Sequence, residues 1–218
     1  MTTSTHDPAT WQRYPRADVS GVILAGGEAR RMGGLDKGLV ELAGRPMIEY
    51  VLDALGPQVG SLLISANRNL DRYSAYGHPV VIDTLQGYMG PLAGMLSAMQ
   101  RLATAFLVTV PCDAPLLSPD LVSRLYDACV AQGADAAVAT DGRRQQPVFL
   151  LLRAGMAPAL ESYLAGGGRR VDSWLARLRV AETDFSDAPD TFINVNEPDD
   201  RQRLEATLLS RQGLHGSA

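Results

Sequence analysis

The sequence predicts an α/β fold: a mostly parallel sheet with helices on both faces and a small antiparallel extension. Three observations predict it. Short apolar runs alternate with segments of helical period along most of the chain. One apolar run, Ala105–Val110, reads as a central strand buried on both faces. Residues suited to binding phosphate, metal or base fall just after predicted strands, where ligands sit on such sheets.

The elements follow in order. Val19–Leu24 is the first strand. Pro46–Leu55 is a helix, with Pro46 in its first turn and Met47, Ile48, Val51, Leu52 and Leu55 on one face. Ser61–Ser65 and Pro79–Ile82 are strands. Pro91–Leu102 is a helix with Leu92, Met95, Leu96, Met99 and Leu102 inward. After the central strand, Ser118 is expected to cap a helix that has Pro119 at its first position. Leu121, Val122, Leu125 and Cys129 form its apolar stripe. Asp135–Thr140 and Pro147–Leu152 flank an Asp141-Gly142 turn signal, which predicts an antiparallel pair. Helices are expected around Ala154–Leu164 and Val171–Leu178, a late strand over Thr191–Val195 and a closing helix over Glu197–Leu209. The division expected is a loose leader over 1–18, one domain over 19–210 and a tail over 211–218.

Composition narrows the function. In 218 residues, 46% are hydrophobic and the net charge is −4. A nucleic-acid coat is therefore disfavoured. Local basic clusters at Arg30, Arg31 and Lys37, at Arg143 and Arg144, and at Arg169 and Arg170 suit a small anionic substrate. The two cysteines, Cys112 and Cys129, form neither metal spacing nor a disulfide framework. With no apolar span or signal core, the expectation is a cytoplasmic protein that binds neither membrane nor nucleic acid.

The segment from Val22 to Lys37 runs from a strand into a loop with glycines at both ends and cations in the middle. Such a loop can wrap a polyphosphate, because glycine lets backbone N–H groups approach anionic oxygens. It is neither a P-loop nor a dinucleotide fingerprint. Asp113, in Val-Pro-Cys-Asp-Ala-Pro, closes the central strand between two prolines. It reads as a Mg²⁺ ligand, or more plainly as a turn or cap residue. Asn67 and Asp83 are each ordinary turn residues if taken singly. Together they could hydrogen-bond a base edge and a ribose. Gly90-Pro91-Leu92-Ala93-Gly94 opens a helix, either as simple packing or as a close approach to a ligand. Asn194 and Asn196 share one side of the predicted late strand, and Asn196 could equally cap the closing helix. Gly166–Arg170 is a connector or an anion clamp. His6, His78 and His215 are scattered and carry no assignment.

Taken in order, these motifs resemble the molybdenum cofactor guanylyltransferases, the MobA-type nucleotidyltransferases. They are Leu-Ala-Gly-Gly-x-Ala-Arg-Arg-Met-Gly-Gly-x-Asp-Lys at 24–37, Ala-Asn-Arg at 66–68, Gly-Pro-Leu-Ala-Gly-Met-Leu at 90–96, Pro-Cys-Asp-x-Pro at 111–115, Arg-Arg-Val at 169–171 and Asn-Val-Asn at 194–196. The resemblance implies a Rossmann-like nucleotidyltransferase fold and Mg²⁺-dependent transfer of GMP from GTP to molybdopterin, with pyrophosphate leaving. By position it implies that Leu24, Ala25, Gly26, Lys37, Asn67, Asp83 and Asp113 hold GTP. Lys37 and Asp113 would be catalytic, with Asp113 also the metal ligand. Arg169, Arg170, Asn194 and Asn196 would face the pterin. A monomer is expected, together with proteins that deliver the cofactor and chaperone the molybdoenzymes. Transfer of CMP to molybdopterin, and a non-catalytic cofactor carrier, remain the alternatives.

Overall fold

The computed structural model describes residues 14–26, 36–84, 90–195 and 204–205. Gly27, Arg30, Arg31, Gly33 and Gly34 of the glycine loop, Asn196 and most of the expected closing helix lie outside the described residues. In chain order the elements are β1 (Val19–Leu24), β2 (Glu41–Leu42), β3 (Arg45–Pro46), α1 (Met47–Leu55), β4 (Ser61–Ser65), α2 (Leu70–Ser74), β5 (Val80–Val81) and α3 (Pro91–Met99). They continue with β6 (Phe106–Pro111), α4 (Leu121–Ala131), β7 (Ala136–Thr140), β8 (Gln145–Arg153), α5 (Ala157–Ala165), α6 (Val171–Leu175) and β9 (Val180–Asp184).

Among the described residues, seven strands make one sheet in the order β5-β4-β1-β6-β8-β7-β9, and β2 and β3 pair separately. Every pairing in the sheet is parallel except the two made by β8. The expected antiparallel pair, β7 and β8, therefore forms. β8 lies between β6 and β7, inside the sheet rather than at its rim.

Alternation along each strand feeds two cores. Val22, Leu63 and Leu107 point to one face and pack with α3, α5 and α6 through Leu92, Leu160 and Trp174. Val19, Ile23, Ile64 and Val108 point to the other, under α1 and α4 through Val51, Leu55, Leu121 and Leu125. β6 is buried along nearly its whole length, as a central strand must be. Among the described residues, no helix is long and apolar enough to cross a membrane.

Four expectations need correction. Tyr14, placed in the loose leader, is buried in the core, and its hydroxyl donates to the Gln58 carbonyl. Ser118 does not cap α4. The helix begins at Leu121, and the Ser118 hydroxyl bonds the Asp120 carboxylate instead. A distant side chain supplies the cap: Gln58 Oε1 accepts the Val122 N–H at 3.0 Å. Thr191–Val195 is not a strand. Pro189–Phe192 is a 3₁₀ turn, and Phe192 stacks edge-on against Phe149 and Phe185. Val195 then enters a third cluster with Leu42, Met47 and Tyr50. The apolar alternation there marks a chain crossing between two cores. Finally, β9 occupies the sheet edge, although the sequence gives no sign of it. Its inward residues are Ala181 and Thr183, which carry almost no apolar contrast.

α3 lies unusually close to the strand ends. A Cβ on Gly94 would collide with Ser65 Oγ and stand 3.1 Å from Leu24 Cδ2. Gly94→Ala is expected to cost about 1–3 kcal/mol of stability, typical of overpacking. Adding Ser65→Ala should recover part of that loss. Urea denaturation of the three variants checks this, and strictly additive losses would contradict the contact.

Candidate functional site

The chain leaves β1 for β4 and β5 on one side, then returns to β6 on the other. On open α/β sheets such a reversal is where ligands bind, beyond the carboxyl ends of the strands. Register makes the ends level: Val81 pairs with Ser65, Ser65 with Leu24, and Leu24 with Pro111. Two residues past this row stand Asp83, Asn67, Gly26 and Asp113. Backbone bonds carry the alignment past the strands: Ala25 N–H to Ser65 O at 2.8 Å, Ala66 N–H to Val81 O at 3.0 Å and Cys112 N–H to Leu24 O at 3.1 Å.

Asn67 and Asp83 hold each other. The Asn67 amide donates to Asp83 Oδ2 at 2.8 Å, and the Asp83 backbone N–H donates to Asn67 Oδ1 at 2.9 Å. Asn67 therefore braces Asp83, and Gly26 leaves space for that amide, with its missing Cβ 3.2 Å from Asn67 Nδ2. Asp83 Oδ1 is buried and, among the described residues, has no hydrogen-bond partner. Burial raises the Asp83 carboxyl above the usual range, and the Asn67 bond only partly opposes this. A buried acceptor left unspent at a strand end is suited to a ligand N–H or O–H.

Across β1, Lys37 Nζ donates to Asp113 Oδ2 at 2.9 Å. The Lys37 side chain is partly exposed and that of Asp113 nearly buried. Cys112, beside Asp113, is buried, and desolvation drives its thiol pKa far up. It packs as a small apolar residue and offers no thiolate.

The other sequence candidates fall farther along. Gly90 has a positive φ (68°), and its missing Cβ would lie 3.7 Å from the Arg169 carbonyl, so the Gly166–Arg170 loop abuts the start of α3. Gly168 rests on the Tyr163 ring with no room for a Cβ. The Arg169 guanidinium folds back onto the carbonyls of Leu164 at 2.8 Å and Gly168 at 2.5 Å, closing the end of α5. Arg170 pairs with Asp172, and this holds the Asp172 carboxyl down at about 2. Both arginines thus have partners already. Asn194 lies beyond the 3₁₀ turn, with Oδ1 buried and without a partner among the described residues.

The sequence reading gave no role to Asp36, Gly38, Asn69 or Tyr73. Asp36 is buried next to Lys37 and accepts from Asn69 and Tyr73. One sequence signal was available. Lys37 is the sole lysine among 20 Lys and Arg residues, which marks its surroundings for inspection.

Comparisons with known proteins show the family. Residues 21–181 match the family model described as the MobA-like NTP transferase domain. A molybdenum cofactor guanylyltransferase of Shewanella woodyi is 50% identical over 190 residues, covering 87% of this chain and 97% of its own. One from Shewanella halifaxensis is 49% identical over 196 residues, covering 90% and 98%. The crystal structure of molybdopterin-guanine dinucleotide biosynthesis protein A from Archaeoglobus fulgidus superposes with a TM-score of 0.74 at 26% identity, covering 88% of this chain and 99% of that one. A family model that matches most of the chain and relatives about half identical along nearly their whole length lead to one conclusion: this chain belongs to the MobA-like family of molybdenum cofactor guanylyltransferases.

Proposed function

We propose that this protein transfers GMP from GTP to the terminal phosphate of molybdopterin, releasing pyrophosphate. One observation supports this reading above the others. The Lys37–Asp113 pair and the Asn67–Asp83 brace stand level on either side of Gly26 at the switch point. A nucleotide laid across that row meets an acceptor for its nucleoside end and a cation for its phosphates.

The reaction forms a bond from an acceptor phosphate oxygen to the α-phosphorus and breaks the bond to the pyrophosphate oxygen. The attacking oxygen is already ionised at neutral pH, so no side chain has to remove a proton. His78 precedes β5, at the opposite end of that strand from Asp83. The difficulty is repulsion between anions. Lys37 would lower it by placing its ammonium on the phosphates, as an oriented charge that needs no reorganisation. Asp83 Oδ1 would accept from the base or ribose and keep the nucleoside in place. Gly26 would offer backbone groups with no side chain in the way, while the Ala25 N–H is held by the Ser65 carbonyl and leaves only its own carbonyl for the nucleotide. Arg169, Arg170 and Asn194 remain our candidates for the acceptor side.

The residues present fit Mg²⁺ in the manner of nucleotide enzymes. Asp113 offers one nearly buried carboxylate, and among the described residues no cluster of three or more His, Cys, Asp or Glu forms a metal cage. A cation held by Asp113 would complete its shell with phosphate oxygens and water, and would neutralise charge on the α-phosphate and on departing pyrophosphate.

Calorimetry with Mg²⁺ is expected to show GTP binding in preference to CTP, and chelation should weaken it. Preference for CTP would change the product to a cytosine dinucleotide, and binding of pterin without any turnover would favour a carrier. Pyrophosphate release on mixing GTP, Mg²⁺ and molybdopterin gives the second check. Asp113→Ala should remove metal-dependent turnover in a folded protein, and Lys37→Ala should slow it by roughly a hundredfold or more. Wild-type rates in either variant would take that residue out of the site.

A further inference from the structure

Lys37 is held from both flanks, and the device that holds it is built around a buried acid the proposed reaction does not use. Asp36 has a side chain only 5% exposed. Its Oδ2 accepts from Asn69 Nδ2 at 2.9 Å and faces Arg68 Nε at 3.4 Å, and its Oδ1 accepts from the Tyr73 hydroxyl at 2.5 Å. All three partners come from the segment that follows Asn67 into α2. A buried carboxylate is costly unless it is paired in this way.

The local backbone is bent to serve this cluster. Asn69 sits immediately before α2, where its side chain could cap the helix, yet it makes no such cap. It adopts a left-handed conformation (φ 50°) and turns its amide to Asp36. On the other flank, Gly38 is wedged between Tyr73 and Cys112. A Cβ there would lie 2.8 Å from the Tyr73 hydroxyl oxygen and 3.2 Å from Cys112 Cβ. The Tyr73 ring is fully buried, and burial drives its hydroxyl pKa far up, so it stays a donor. Lys37 thus stands between a residue locked to α2 and a residue pressed on the neighbour of Asp113.

We propose that Asp36 and Tyr73 are positioning residues for nucleotidyl transfer: they fix Lys37 against Asp113 and tie that pair to the segment carrying Asn67. The catalytic part of this statement rests on the function proposed above; the geometric part does not.

The single lysine makes the test direct. In full-length protein labelled with ¹³C,¹⁵N-lysine, Lys37 gives the one lysine side-chain signal. Its Cε order can be read by NMR relaxation with no substrate present. Tyr73→Phe removes one oxygen and keeps the buried ring, while Asp36→Asn keeps shape and removes charge. Both should lower Lys37 order markedly, toward that of Asp113→Ala, where the pairing is lost. Unchanged order in a folded Tyr73→Phe would overturn the proposal. The second reading is a double-mutant cycle on pyrophosphate release. Tyr73→Phe should cost about tenfold in kcat/KM in the wild-type background and almost nothing in Lys37→Ala, because the effect passes through Lys37. Equal costs in both backgrounds would mean a purely structural hydroxyl and would also overturn it. If wild-type protein releases no pyrophosphate from GTP, the proposed function fails, and the relaxation measurement still decides whether the cluster positions Lys37.

Discussion

Level strand ends are what the site depends on. β5, β4, β1 and β6 stop along one row of paired residues, and each continues two residues further to Asp83, Asn67, Gly26 or Asp113. Hydrogen bonds between neighbours set the row, and burial prevents it from slipping. Moving one strand by one residue would shift its site residue by about 3.3 Å and exchange its two faces. Both faces of this sheet are covered by packed helices, so an exchanged face would break two cores at once. The spacing of the site is therefore a property of core packing, and no single loop sets it.

Close backbone approach is the second requirement. Gly94 brings α3 against Ser65 and Leu24, Gly38 lets the Lys37 turn press on Cys112, and Gly168 lies on Tyr163 to set the loop beside Gly90. In each case the missing Cβ lets one element sit where a side chain would hold it off. The acidic groups then differ by their partners. Asp113 faces a lysine, and Asp36 faces an arginine, an amide and a phenol. Asp83 has an amide and one unspent oxygen. In surroundings of low dielectric, the unsatisfied oxygen is where a ligand contributes most.

Beyond β6 the sheet changes character. β8 runs against its neighbours, and α4 reaches the 184–187 segment through Arg124, which pairs with Asp187 and lies 4.0 Å over the Phe185 ring. This half carries the chain to Asn194. Past β9, the segment that leads to Asn194 is held by aromatic contacts among Phe149, Phe185 and Phe192.

By itself, the sequence determined the α/β class, six of the seven main strands in outline, the apolar faces of α1, α3 and α4, and the family. Periodicity and ordered motifs are local properties, and each residue carries its part of them whatever its distant partners are. It also placed Asn67, Asp83 and Asp113 just beyond strand ends, and Lys37 at the far end of the loop that follows the first strand. What these side chains touch was decided only by the tertiary structure. The Asn67 amide binds Asp83, and the guanidinium groups of Arg169 and Arg170 bind the end of α5 and Asp172. Asp36 is neutralised by residues from beyond β4, and α4 is capped by Gln58. β9 was invisible because Ala181 and Thr183 carry little hydrophobic signal, although a sheet edge next to β7 accepts them. The reason is the same throughout. A hydrogen bond or ion pair between residues far apart in sequence has no period and no spacing, so it exists only once the chain has folded.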